Sequence, residues 1–139
     1  FSKSQYVSNI IKNIQQELFI VGGELATDIS KYDNLKKNFK VVTDDMVSNL
    51  EEIIDSLGES IELPRAFVVP GASTASSALD IARSVLRRAE RIVVRIKENY
   101  TLANPAVLKY LNRLEDLLFM IARYEDKELG YEKLNLENH

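Results

Sequence analysis

A chain of 139 residues with 45% apolar and 28% charged side chains has the material for one folded domain around a single core, and not for two. It has no cysteine and one histidine, His139, which excludes disulfides, thiolate chemistry, a His-rich zinc site and a Ser/His/Asp triad. A net charge of -3 and a pI near 5.3 argue against a protein whose main task is to sheathe nucleic acid, because counterion release needs a basic surface.

From Tyr6 to Ala26 the residues Tyr6, Val7, Ile10, Ile11, Ile14, Leu18, Phe19, Val21 and Leu25 recur at intervals of three and four, which predicts a first helix with one apolar face. Gly22 and Gly23 late in that helix predict close approach by a neighbouring helix. Residues 28–42 mix charge with turn formers without a sustained period, and are expected to form a surface connection.

Thr43 followed by Asp44 and Asp45 reads as an N-cap with acids in the first turn, and Met46, Val47, Leu50, Ile53, Ile54 and Leu57 mark a second helix to about Ser60. Pro64 and Pro70 then bracket a short apolar stretch, an extended connector that ends at a Ser73 N-cap. The third helix, about Ser73 to Asn99, is expected to turn Leu79, Ala82, Val85, Leu86, Ala89, Val93 and Ile96 inward. Asn104 and Pro105 cap and open a fourth helix carrying Val107, Leu108, Leu111, Leu114, Leu117, Leu118, Met120 and Ile121 to about Glu125. The tail from Asp126 is expected to fray.

No strand-like alternation and no internal repeat is visible, so the fold class is all-α, an up-and-down bundle of four to five helices. No apolar run reaches the roughly 18 residues that a membrane span needs, and the opening FSKSQYVSN lacks the apolar centre of a signal peptide; a soluble, cytoplasmic protein is expected.

The third helix carries Arg83, Arg87 and Arg91 at intervals of four, with Glu90 three residues past Arg87. Like charges at that spacing repel by a few tenths of a kcal/mol each, so the stripe points either to ion pairing and solvation or to a bound polyanion such as a triphosphate. Asn112 and Arg113 interrupt a leucine-rich face, and Phe119 lies two turns beyond Asn112 on the same side. Taken alone, the amide is a satisfied polar group beside the core, and Phe67 a plug at the end of the bundle.

Together these segments resemble the PduO-type ATP:cob(I)alamin adenosyltransferases over roughly residues 12–126. FVVPGAST and the following SSALDIARSVLRRAERIVV resemble that family's FxLPGGS loop and RxxxRRAER helix, and NPAVLKYLNRLEDLLFMIARYED resembles its NxxxLxxLNRLSDYLFxLARY segment. IQQELFIVGGELAT resembles QxxLFxIGAxLAT, and MVSNLEEIID resembles the LExxID segment. Gly71 and Ala72 stand where the family usually has two glycines.

The resemblance implies that Arg87 and Glu90 contact ATP, that Asn112 lies near the phosphates and their Mg2+, and that Arg83 holds an acid of a neighbouring subunit. Phe67 would close the lower axial face of the corrinoid, with Phe119 lining the same cavity. It implies further a homotrimer with shared sites, and a flavin or other reductase that supplies the electron. The family's TxxGDxGxT segment, which cradles ATP phosphates through backbone amides, has no counterpart in these 139 residues; either the sequence starts late or the chain does not bind ATP in the family's usual way. The alternatives are a non-catalytic paralogue that binds a corrinoid or serves as an interaction module, and a phosphate-binding scaffold for nucleic acid.

Overall fold

The computed structural model describes residues 5–61, 74–100 and 102–127, and these are helical apart from short joints. Five α-helices follow in order: α1 (Gln5–Leu25), α2 (Tyr32–Asn38), α3 (Asp44–Ser60), α4 (Thr74–Asn99) and α5 (Ala106–Lys127). The connection expected over 28–42 thus contains a helix, α2, preceded by a single 3-10 turn over Ile29–Lys31. Asp28 starts that turn by accepting from the Ser30 amide, a local cap that a search for apolar period does not register. The connector with Pro64, Phe67, Pro70, Gly71, Ala72 and Ser73 lies outside the described residues, as does the tail beyond Lys127.

Helix α5 is the axis of the bundle. Its Val107, Tyr110, Leu111, Leu114, Leu117, Leu118, Ile121 and Ala122 are all buried, and each fully buried aliphatic side chain contributes about 1.5–3 kcal/mol of transfer free energy. The pairings fix the directions of its neighbours. Tyr6 meets Tyr124 edge-on at 6.1 Å, the Tyr110 hydroxyl donates to Glu17 at 2.8 Å, and Asn104 donates to Glu24, so α1 runs antiparallel to α5. Asn104 also donates to the Val42 carbonyl before α3, and Gly58 near the end of α3 faces Met120, so α3 runs parallel to α5. Helix α4 packs antiparallel against α5, which completes up-down-up-down order.

Two expectations about faces need correction. On α4, Ala82, Val85, Ala89 and Ile96 are exposed, and the inward stripe is Ala75, Ser76, Leu79, Arg83, Leu86, Glu90 and Val93. The helix is turned so that two charged residues sit within its contact face, where α5 offers the Asn112 amide to Glu90 and the Phe119 ring to Arg83. On α1, Val7, Ile10, Ile14 and Val21 are buried, but Phe19 is 85% exposed, since at 100° per residue it lies roughly 140° around from Ile14. A Cβ on Gly22 or Gly23 would meet nothing within 4 Å, so among the described residues these glycines serve no close helix contact.

The joint between α1, α3 and α5 is closed by a polar knot. Glu24 is 8% exposed; it accepts from the Val42 amide at 2.5 Å and from Asn104 Nδ2 at 3.0 Å, and Asn104 donates to the Val42 carbonyl at 2.8 Å. Burial and the nearby Glu24 carboxylate push the Tyr32 phenol above its ordinary pKa. Removing Asn104 would take one donor from the buried Glu24 carboxylate and leave the Val42 carbonyl without this partner. Asn104→Ala is therefore expected to cost about 2–3 kcal/mol, read as a lower urea midpoint at unchanged slope; a loss under about 0.5 kcal/mol would show that solvent replaces the amide.

Candidate functional site

Because α4 and α5 are antiparallel and both keep one residue per contact turn, their polar side chains meet as successive rungs. At the first rung Arg123 of α5 donates to Asp80 of α4 at 2.9 Å and to Asp126 on its own helix at 3.1 Å, with Arg123 and Asp126 buried. At the second, the guanidinium carbons of Arg83 and Arg123 lie 5.4 Å and 5.0 Å from the ring centre of half-buried Phe119, within cation–π range. At the third, Arg87 Nε stands 3.6 Å from Glu115 Oε1. At the fourth, Asn112 Nδ2 donates to Glu90 Oε2 at 3.0 Å, while Arg113 donates to Asn112 Oδ1 and pairs with Asp116 at 3.3 Å.

This strip is cationic at its surface and acidic beneath. The Arg87 side chain is 58% exposed, whereas that of Glu115 is 9% exposed. Burial and the neighbouring Glu90 carboxylate push Glu115 up to about 7, against the opposing pull of Arg87 and Arg83. Among the described residues, Arg83 Nε, Glu115 Oε2 and Asp126 Oδ1 are buried without a hydrogen-bond partner. A polyanion arriving at Arg87 therefore meets a guanidinium that is accessible and only loosely engaged.

Of the residues singled out in the sequence, Arg83, Arg87, Glu90, Asn112 and Phe119 are brought together on this one strip. Phe67 falls outside the described residues. Arg91 is exposed, so the arginines at intervals of four do not form a uniform stripe: Arg83 turns in towards Phe119, Arg87 lies over Glu115, and Arg91 faces outward. Sequence reading missed Glu115 and the Asp80–Arg123–Asp126 triad. The signal was available once α4 and α5 are taken as antiparallel, since fixing Glu90 against Asn112 places Arg87 at Glu115 one turn later.

Comparison with known proteins adds the following. The family model described as cobalamin adenosyltransferase matches residues 2–125. A corrinoid adenosyltransferase of Citrobacter freundii is 38% identical over 114 residues, spanning 81% of this chain and 62% of its own length. One of Bacillus subtilis is 39% identical over 117 residues, spanning 84% of this chain and 57% of its own. The chain thus spans about three fifths of the length of these relatives. A solved variant of the PduO-type ATP:corrinoid adenosyltransferase of Lactobacillus reuteri, complexed with cobalamin and ATP, superposes with a TM-score of 0.82 at 33% identity, covering 99% of this chain and 74% of that one.

Proposed function

The chain belongs to the cobalamin adenosyltransferase family, and on that premise we propose that it transfers the 5′-deoxyadenosyl group of ATP to the cobalt of a reduced corrinoid, releasing triphosphate. The observation that carries this reading is the α4–α5 strip, which sets an accessible arginine, Arg87, within two rungs of an aromatic ring, Phe119. A polyphosphate seat thereby adjoins a surface suited to a flat macrocycle.

In the reaction the substrate's Co(I) attacks the ribose C5′ carbon; a Co–C bond forms as the C5′–O bond breaks, and the electron pair leaves with triphosphate. No protein base is required, which suits a strip of arginines, acids and an amide. Arg87 neutralises charge on the departing phosphates, and Glu90 and Asn112 hold the nucleotide. Mg2+ is assigned to the nucleotide, near Asn112, where it would screen the triphosphate. Phe67 serves as an apolar wall under the corrinoid: excluding the lower axial ligand makes the cobalt four-coordinate and easier to reduce to Co(I).

We assign residues 1–139 to one helical-bundle domain and the active protein to a homotrimer with its sites between subunits. One feature supports this: Ile81, Val85, Ile92 and Ile96 on α4 are exposed. No helix among the described residues is long and apolar enough to cross a membrane; a cytoplasmic setting with a flavin or other reductase is part of the proposal.

The test is an anaerobic visible spectrum of cob(II)alamin with the full-length protein, with and without MgATP. A four-coordinate Co(II) signature that requires MgATP is expected. Its absence would favour a paralogue that has lost the reaction. Phe67→Ala is expected to weaken that signature and slow reduction while leaving nucleotide binding in place; an unchanged spectrum and rate would remove Phe67 from the role.

A further inference from the structure

The third rung of the strip holds a carboxylate that the reaction itself does not use. Glu115 is buried under Arg87, the arginine proposed to meet the phosphates, and its Oε1 is 3.6 Å from Arg87 Nε. Its second oxygen has no hydrogen-bond partner among the described residues. A group of this kind is costly to bury, and it is placed where an incoming phosphate would be seated. The related family segment quoted above reads LNRLSDYLF where this chain reads LNRLEDLLF, so the carboxylate is a departure from that pattern.

Resting on the adenosyltransferase reading, we propose that Glu115 is a positioning residue for Arg87, an internal anion that holds the guanidinium over the strip and that the nucleotide polyphosphate must displace. The charge balance of the site follows from this. In the empty site Arg87 offsets part of the negative charge of Glu115 and Glu90. When phosphates take Arg87, Glu115 is left beside the Glu90 carboxylate with additional negative charge above it, and its simplest relief is to take up a proton and donate it towards Glu90.

The charged groups acting on Glu115 among the described residues all come from α4, namely Glu90, Arg87 and Arg83. On its own helix, the neighbouring Asp116 is engaged with Arg113. Glu115 begins near neutrality, at about 7 in the empty site, and phosphate binding raises it further. The sign follows: below about pH 7 the group is protonated in both states and affinity is flat; above it, binding takes up a proton, and affinity falls as pH rises until the bound-state pKa is passed. A site that discriminates by displacement also favours polyvalent phosphates over small monovalent anions, which lack the charge to separate the pair.

The experiment is titration of the full-length protein with MgATP and, in parallel, with tripolyphosphate, by calorimetry in two buffers of different ionisation enthalpy. It is run above about pH 7 with tripolyphosphate added, like ATP, as its Mg2+ complex, so that the terminal phosphates are already ionised before binding. Wild type is expected to take up close to one proton per ligand, with log Kd rising by up to about one per pH unit. Glu115→Gln is expected to bind both ligands on the order of fivefold more tightly at the upper end of that range and to lose the proton uptake, whereas Glu115→Asp retains it. A residue with a merely structural role would not move the proton count. Unchanged or weaker affinity in Glu115→Gln, or a pH slope that persists in it, overturns the inference while MgATP binding leaves the adenosyltransferase reading standing. Tripolyphosphate binding that depends on Glu115, in a protein that does not bind MgATP, supports the positioning role and sinks that reading; a protein that binds neither ligand sinks both.

Discussion

Replacing Arg87 by alanine is expected to lower turnover by about 100- to 1000-fold while the bundle stays folded. The rate effect has the magnitude of deleting one preorganised group that meets charge developing on a leaving group, which in the proposed reaction is triphosphate. The fold should tolerate the change because the Arg87 side chain is 58% exposed and its partner among the described residues is Glu115, at the long distance of 3.6 Å. Pairs this exposed contribute at most about 1 kcal/mol. Loss of the counter-charge leaves Glu115 beside Glu90, and uptake of a proton relieves it. Steady-state kinetics together with a thermal melt decide the matter: a variant that melts within a few degrees of wild type and turns over at a similar rate would exclude Arg87 from the phosphate seat.

Arg123→Ala should do the reverse, with its largest effect on stability. The Arg123 side chain is 4% exposed, bonded at 2.9 Å to Asp80 and at 3.1 Å to Asp126, whose own side chain is wholly buried. Its guanidinium also lies 5.0 Å from the Phe119 ring centre. Removing the cation strands two carboxylates, one with no route to water, and breaking a buried pair in this way costs about 3–5 kcal/mol. For a chain of this size that corresponds to a fall in melting temperature on the order of 10 °C or more. Asp126→Ala in the same background should recover part of the loss, because the uncompensated acid is then gone. A single-variant loss below about 1 kcal/mol would mean that the acids are relieved by solvent.

The apolar period located four of the five helices to within a residue or two, because each buries one face and the spacing of that face survives in the sequence. Thr43 was legible as a cap for the same kind of reason: its oxygen accepts from the Met46 amide three residues on, a contact wholly local in sequence. Helix α2 was not legible, since none of its residues is buried and it therefore has no apolar face to repeat. The rotation of α4 was misjudged because Arg83 and Glu90 were counted as surface; only the polar side chains of α5, 22 residues further on at Asn112, make an inward position tolerable for Glu90. The knot of Glu24, Val42 and Asn104 joins residues 80 apart in the chain and is invisible to any window. Arg83, Arg87, Glu90, Asn112 and Phe119 were found through family resemblance, and the fold then accounts for their gathering. Glu115 escaped because an acid beside Asp116 in a leucine-rich run carries no local sign of the arginine above it.

The stepwise matching of α4 with α5 also constrains how this protein can vary in length. Inserting one residue between Arg87 and Glu90 would swing everything on one side of it by about 100° and carry Glu90 away from Asn112 while Arg87 kept its place over Glu115. The two helices therefore behave like the halves of a zip, in which one added tooth spoils every later engagement. Tolerated insertions and deletions belong in the joints, where added chain leaves the meshing of α4 and α5 untouched.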